Sequence, residues 1–436
     1  MHYSILIGGL LLGTFLLSAK SLEGTWIPPS AIFMVALYFH GIHAPLLYDD
    51  LGAINAGNLE SVLNYALLAQ FAFLLGYSIV GYMALVRAKR ALAAPSSEPL
   101  LDDQGVVIAG AVAVVLVLYG QAYAYLTGAL DLGKGAFAYE ASGSIFYRFA
   151  TFGLLVPSLL LALVMSIPFH ARTSLKFRQR FSFILSICAL FLLTSLLSFE
   201  RSQMVKFLLF ASIYYHYRVK PISVAGVIYL GILVFVIQAF SSLRVLGTGI
   251  LGISSGDMFD ELTSDKDYFT GILVAIPGQE VLAEVMDIVP YSEPFKYGAT
   301  YFDSFVGLFL PRALGLSDYE NIKTPAYWFK EVFAWGTTGH GFDFSLLAEA
   351  YLNFGSYGIF VIPLIIGGII FKLSTNIRKS NSLLLVAFSI TTLISITFAL
   401  RSDSNTLFKS VVYLFLPIYL VYKIQPRPVP TSMANR

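Results

Sequence analysis

Five arginines stand where a largely lipid-soluble chain should avoid charge. Arg148 opens an apolar run, Arg201 follows Glu200 in the short turn LLSFERSQMV, and Arg244 closes a run in QAFSSLRVLG. Arg312 lies in LFLPRALGL, and Arg401 ends another run in TFALRSDSN. A charge near the membrane interior costs about 2.5–3.5 kcal/mol on insertion scales, so such residues persist when paired or functional. Taken singly, each reads as a side chain snorkelling to the headgroup layer, or pairing locally, as Arg201 with Glu200 or Arg401 with Asp403. Taken together, Arg201, Arg244 and Arg312, with Arg401 as a weaker member, read as an anion site, because guanidinium forks match phosphate oxygens two at a time. A pyrophosphate at the membrane surface suits such a group.

One histidine sits in a setting of its own. His340 lies in GTTGHGFDF, among glycines and directly before a long apolar run. An imidazole titrates near neutrality, at about pH 6.5, which suits a general base. A hinge residue between loop and span is the other reading. Carboxylates compete for the base role: Glu200, Glu280, Asp303, Asp318 and Glu349. Glu349, early in a span, also reads as a tie to an arginine or to neighbouring helices. His2, His40, His43, His170 and His216 are scattered and read as structural. There is no P-loop, dinucleotide-binding glycine fingerprint, HExxH or GxSxG. Neither histidine nor cysteine shows metal-ligand spacing, so no metal and no cofactor is expected. Cys188 is the single cysteine, which forbids an internal disulfide and reads as packing.

The elements that must position these residues follow from composition. Of 436 residues, 57% are hydrophobic and 12% charged, against about 25% charged in soluble domains. The mean hydropathy is +0.74. Apolar runs recur at lengths that cross a hydrocarbon core of about 30 Å as helices. Strand-like alternation is absent, so the expected fold is all-α, a polytopic bundle of about 11 spans. They fall near 3–20, 27–47, 61–86, 105–126, 147–169, 181–199, 203–217, 222–242, 344–371, 383–400 and 406–422. The first run lacks a basic start and a cleavage site and reads as a retained span. Three regions result: spans 1–8 over 1–242, a long loop over 243–343, and spans 9–11 with a tail over 344–436.

Charge distribution orients the bundle. Basic clusters at Arg87/Lys89/Arg90, Arg172 to Arg180, Arg218/Lys220, Lys372/Arg378/Lys379 and Lys423/Arg427 fall on one side, which the positive-inside rule makes cytoplasmic. The 243–343 loop and the N-terminus then face outward. That loop holds more than half of the chain's 26 acids and many aromatics, including Trp328 and Trp335, so it reads as ordered and functional. Those tryptophans could stack on sugars, although interfacial anchoring is the commoner use. PGQEVLAEVMDIVP reads as a short amphipathic helix, lying on the bilayer or capping the bundle. No basic face exists outside the cytoplasmic anchors, which excludes nucleic acid as a partner.

Two stretches carry a resemblance. GLFLPRALGLSDYENIKTPAYWFKEVF followed by GHGFDFSLLAEAYLNFGSYGIF is similar to the pattern of Wzy-type oligosaccharide repeat-unit polymerases. The matching elements are Pro311-Arg312, Thr324, the glycines Gly336, Gly339 and Gly341, and Glu349, Tyr351, Asn353, Phe354 and Gly355. FERSQMVKFLLF resembles the family's short outer turn, usually S-R-G, with Glu200 and Ser202 flanking Arg201 and no glycine. The resemblance implies a GT-C-like glycosyltransferase in the bacterial inner membrane, with its site facing the periplasm. It would move the growing glycan from undecaprenyl pyrophosphate to a new lipid-linked repeat unit. It implies lipid-linked oligosaccharide donor and acceptor, no metal, and a possible polysaccharide chain-length regulator as partner. Arg201, Arg244, Arg312 and Arg401 would hold pyrophosphate and His340, or alternatively Glu200, would activate the acceptor. Glu349, Tyr351, Asn353 and Gly355 would shape the start of the ninth span. Two other readings are an O-antigen ligase acting on a lipid A core and a non-enzymatic flippase. The YLNFG stretch and the acidic loop speak against the ligase, and the lack of paired inverted halves against the flippase.

Overall fold

A computed structural model describes residues 2–43, 56–87, 100–126, 155–169, 174–197, 201–223, 225–226, 229–233, 279–309, 324–332 and 344–424. Among the described residues the chain is helical, with no strand. In chain order the helices are α1 (His2–Glu23), α2 (Ala31–Tyr38), α3 (Ala56–Arg87), α4 (Asp103–Leu126), α5 (Val156–Met165), α6 (Leu175–Leu197) and α7 (Arg201–Tyr214). Then come α8 (Gln279–Ile288), α9 (Ala299–Phe309), α10 (Pro325–Val332), α11 (Leu346–Lys379), α12 (Leu383–Phe398) and α13 (Ser404–Ile424). A π-helical turn extends α2 over Phe39–His43 and another extends α7 over Tyr215–Val219.

Seven of these helices are long and apolar enough to cross a membrane: α1, α3, α4, α6, α11, α12 and α13. Two shorter apolar helices, Ala31–Ile42 and Val156–Met165, cover stretches that read as full spans in the sequence. Against the expected number of about 11, the described residues hold seven helices of spanning length. Burial ranks the spans. The most apolar window of α12 is 72% buried, while those of α1 and α13 are 17% buried, so α12 is central and the other two are peripheral. A buried span of this kind carries Ser and Thr hydroxyls turned back on its own carbonyls, as Thr391 on Ala387 at 3.0 Å and Ser395 on Thr391 at 2.9 Å.

The tightest crossing joins α3 and α11, and glycine makes it possible. A Cβ on Gly76 would lie 1.9 Å from the Leu364 carbonyl oxygen, and one on Gly367 would lie 2.2 Å from that of Phe73. Small residues let two backbones approach where lipid supplies no hydrophobic drive. Phe15, Phe33, Phe73 and Tyr77 then fill the space among α1, α2 and α3, with ring centroids 4.8–6.2 Å apart.

The bundle has two chemically different ends. At one, the ends of α1 and α11 meet: Arg378 Nη1 reaches Glu23 Oε2 at 2.7 Å, and Ser374 Oγ donates to the same carboxylate at 2.8 Å. Tyr77 also donates to Glu23. Arg218, beyond α7, donates to the carbonyls of Arg378 and Ser380 at 3.2 and 2.7 Å. Asp103 at the start of α4 pairs with Lys176 at 2.7 Å and with Arg180, and Arg180 also donates to the Ser166 carbonyl at 3.0 Å. The Tyr214 hydroxyl reaches the Met165 carbonyl at 3.5 Å, linking the two groups. The described members of the basic clusters thus gather at this end. At the other end lie the starts of α3, α11 and α13 and the helices of the 243–343 segment. There Asn58 donates to Asp287 of α8 at 2.8 Å.

Candidate functional site

The EAYLNFG stretch builds the second end. Ser345 caps α11, its Oγ accepting from the Ala348 amide at 3.0 Å, which fixes where the helix starts. Nine residues on, Gly355 takes φ 59° and ψ −143° and breaks the helix. That backbone region is essentially closed to residues with a side chain. A Cβ there would also meet the Phe295 ring at 3.0 Å, and one on Gly358 would lie 2.0 Å from the Ala350 carbonyl oxygen. The first turns of α11 therefore double against the helix that follows, leaving the carbonyls of Leu352 and Asn353 available to other partners. The Lys296 and Tyr297 amides take them at 3.0 and 3.1 Å.

A continuous hydrogen-bonded chain runs inward from that loop. The Gly298 amide donates to Asn353 Oδ1 at 2.8 Å; Asn353 Nδ2 donates to Thr300 Oγ1 at 2.7 Å; Thr300 donates to Glu349 Oε1 at 2.8 Å. From the opposite side Ser404 Oγ donates to Glu349 Oε1 at 2.7 Å, and its amide donates to Oε2 at 2.7 Å. Glu349, Asn353, Thr300 and Ser404 are all buried. The carboxylate lies in the first turn of α11 and against the first amide of α13, so two helix N-termini face it. Three donors satisfy its two oxygens, as a buried polar group requires. Glu349 consequently ties α9, α11 and α13 into one unit. Asp403 caps α13 next to it, accepting from the Thr406 amide at 2.9 Å and hydroxyl at 2.8 Å.

Cations surround this unit. Arg401 is half-buried in the turn between α12 and α13. Lys206 of α7 stands 5.1 Å from the centre of the Phe398 ring, immediately before that turn. Lys296 pairs with Glu293 at 2.9 Å and stands 5.5 Å above the Trp328 ring. Trp328 itself is buried, edge-on to Phe344 at 6.5 Å, so it neither stacks on a ligand at the surface nor anchors in an interface. Helix α8 likewise turns Val281, Leu282 and Val285 into the protein, against α3 and α11. It caps the bundle instead of lying apolar face down on the bilayer.

Of the residues singled out in the sequence, Glu349, Asn353, Tyr351 and Gly355 come together here with Arg401. Tyr351 packs its ring 5.6 Å from Tyr65 and 6.2 Å from Phe295. Arg201 is the first residue of α7. Arg148, Glu200, Arg244, Arg312 and His340 lie outside the described residues. Sequence reasoning missed Thr300 and Ser404, hydroxyls far from Glu349 in the chain, and Lys206. A lysine in the second turn of an apolar helix, in RSQMVKFLLF, is the one signal that could have drawn attention to it. Among the described residues no group of three or more His, Cys, Asp or Glu could hold a metal ion.

The arrangement sets a buried, hydrogen-bonded carboxyl unit at the end of the bundle away from the described basic clusters. A family model described as O-antigen polysaccharide polymerase Wzy matches residues 137–425, more than half of the chain. No curated protein and no solved structure matches it.

Proposed function

The chain belongs to the O-antigen polysaccharide polymerase Wzy family, and from that premise we propose that it lengthens glycans carried on undecaprenyl pyrophosphate at the periplasmic face of the inner membrane. The family match carries this reading, and the charge asymmetry between the two ends of the bundle supports the sidedness: basic residues gather at the end away from the EAYLNFG unit, as expected of a cytoplasmic face. The reaction is glycosyl transfer. A hydroxyl at the non-reducing end of the acceptor unit attacks the anomeric carbon of the donor glycan, the bond from that carbon to the pyrophosphate oxygen breaks, and undecaprenyl pyrophosphate leaves.

Each residue has a distinct task in this proposal. The acceptor proton passes to His340, with Glu200 as the alternative base. Arg201, Arg244, Arg312 and Arg401 hold the pyrophosphate as charge builds on it, a role that metal ions fill elsewhere; Lys206 adds a cation to the same group. Metal independence follows as an expectation. Glu349, Asn353 and Gly355 position the surrounding elements: they fix the turn bearing Arg401 relative to the segment that leads to Arg312.

Elongation from defined lipid-linked repeat units tests the proposal. The purified chain in lipid, given these units with a chelator and no nucleotide sugar, is expected to build a ladder of lengthened products. Glycan transfer only to a lipid A core would establish a ligase, and transbilayer movement without new glycosidic bonds would establish a flippase.

A further inference from the structure

Helix α9 has its polarity reversed. Its Thr300 and Ser304, one turn apart, are 4% and 0% exposed, whereas Phe302 and Phe305 are 67% and 50% exposed. A helix on the aqueous surface of a protein turns its apolar stripe inward and its polar face to solvent. Here Thr300 bonds Glu349 and Ser304, one turn on, is buried, while the phenyl rings face away. Its depth is fixed by two contacts: Thr300 bonds Glu349 in the first turn of the α11 span, and the Phe305 ring lies 6.1 Å from Phe408, early in the α13 span. The exposed apolar surface of α9 therefore continues that of two membrane spans. Tyr301 stacks at 6.5 Å on Phe354, itself partly exposed, and Tyr357 on α11 is 81% exposed. Exposed tyrosine rings are enriched at the boundary of headgroups and acyl chains.

We propose that α9 is immersed in the bilayer at that boundary, its Phe302 and Phe305 face covered by acyl chains and its hydroxyl face forming the lipid-side wall of the Glu349 unit. The segment that the sequence presents as a loop in water would thus enter the membrane, and a ligand carried on a lipid would meet this wall before any aqueous surface. Asp303 on the flank of α9 has its carboxyl raised above the usual carboxylate range by burial, in keeping with a position half out of water. The inference holds whatever reaction the chain performs.

Spin-label accessibility measures it directly. In the full-length chain with Cys188→Ser, labels are placed by Phe302→Cys, Phe305→Cys and, as the control, Asp287→Cys on the exposed face of α8. Each variant is reconstituted in liposomes of bacterial phospholipid and checked for an unchanged unfolding temperature. The labels at 302 and 305 should collide several-fold more with oxygen, which partitions into lipid, than with a water-soluble nickel chelate, and the label at 287 should show the reverse. Should either α9 label resemble the control, the helix faces water. If both are shielded from oxygen and chelate alike, protein covers the face. Either result overturns the proposal. Should one substitution prevent folding, the other still decides.

Discussion

Glu23 and Glu349 are both carboxylates buried in the bundle, and they are held in opposite ways. Glu23, at the basic end, takes a guanidinium nitrogen of Arg378 at 2.7 Å, together with Ser374 and Tyr77. Glu349, at the other end, takes the hydroxyls of Thr300 and Ser404 and one backbone amide. Both have their oxygens met by donors, without which burial would be costly. An ion pair neutralises itself and fastens helices. A carboxyl held by hydroxyls and an amide also fastens helices, and among the described residues it engages no guanidinium, which suits an end of the bundle whose arginines are proposed to serve a ligand.

Substitutions break the comparison apart. The largest effect is expected at the basic end: Glu23→Ala takes the carboxylate from Arg378 and leaves it the backbone carbonyl of residue 23, and losing one partner of a buried pair costs up to about 3–5 kcal/mol. Thermal unfolding in detergent should show it, with little folded protein recovered. Next comes Glu349→Ala, which leaves the buried Ser404 amide facing no acceptor, at about 1–3 kcal/mol, while the two hydroxyls can turn to other acceptors. Glu349→Gln should lose less, because its oxygen still accepts one of the donors. Gly355→Ala forces a side chain into a backbone region reserved for glycine, at about 1–3 kcal/mol, and against the Phe295 ring. Limited proteolysis should then cut the 293–300 segment faster than in the parent chain. The smallest effect on stability, and a large one on activity, is expected for Lys206→Gln and Arg401→Gln. Each should lower elongation about tenfold, the worth of one charge-assisted contact, with the unfolding temperature unchanged.

Much of the fold could be read in the chain because lipid imposes simple rules. The runs that became α1, α3, α4, α6, α11, α12 and α13 are long and charged mainly at their ends, and the basic residues in the last turns of α11 and the first turns of α6 marked one end of the bundle. Other runs misled by length. The stretch 27–47 reads as one span, yet its described helix starts only at Ala31, after Pro28 and Pro29, and passes into a π-helical turn at Phe39. Apolar composition does not say where a helix begins; proline and capping residues do.

The candidate site was legible only where its parts are contiguous. EAYLNFG marked the start of the ninth span, but nothing in it told that Gly355 would break the helix there. Thr300 and Ser404 were not, since a hydroxyl carries no pattern until folding brings it to Glu349. Trp328 could not be placed either: eight residues of helix show which side is apolar, not what will cover it. The reversed faces of α9 were hidden for the same reason. ATYFDSFVG has the periodicity of any amphipathic helix, and only its packing shows that the hydroxyls point inward.

One measurement weighs the central claim, that glycan transfer takes place at the end built by Glu349 and Arg401 and not at the basic end. Ladder length is compared, at equal amounts of folded protein, for Arg401→Gln, for Lys206→Gln and for Lys379→Gln, the last an exposed cation on the terminal turn of α11. The account expects the first two to stop at short products and the third to match the parent chain. Unchanged ladders in the first two, with a shortened ladder in the third, would contradict it.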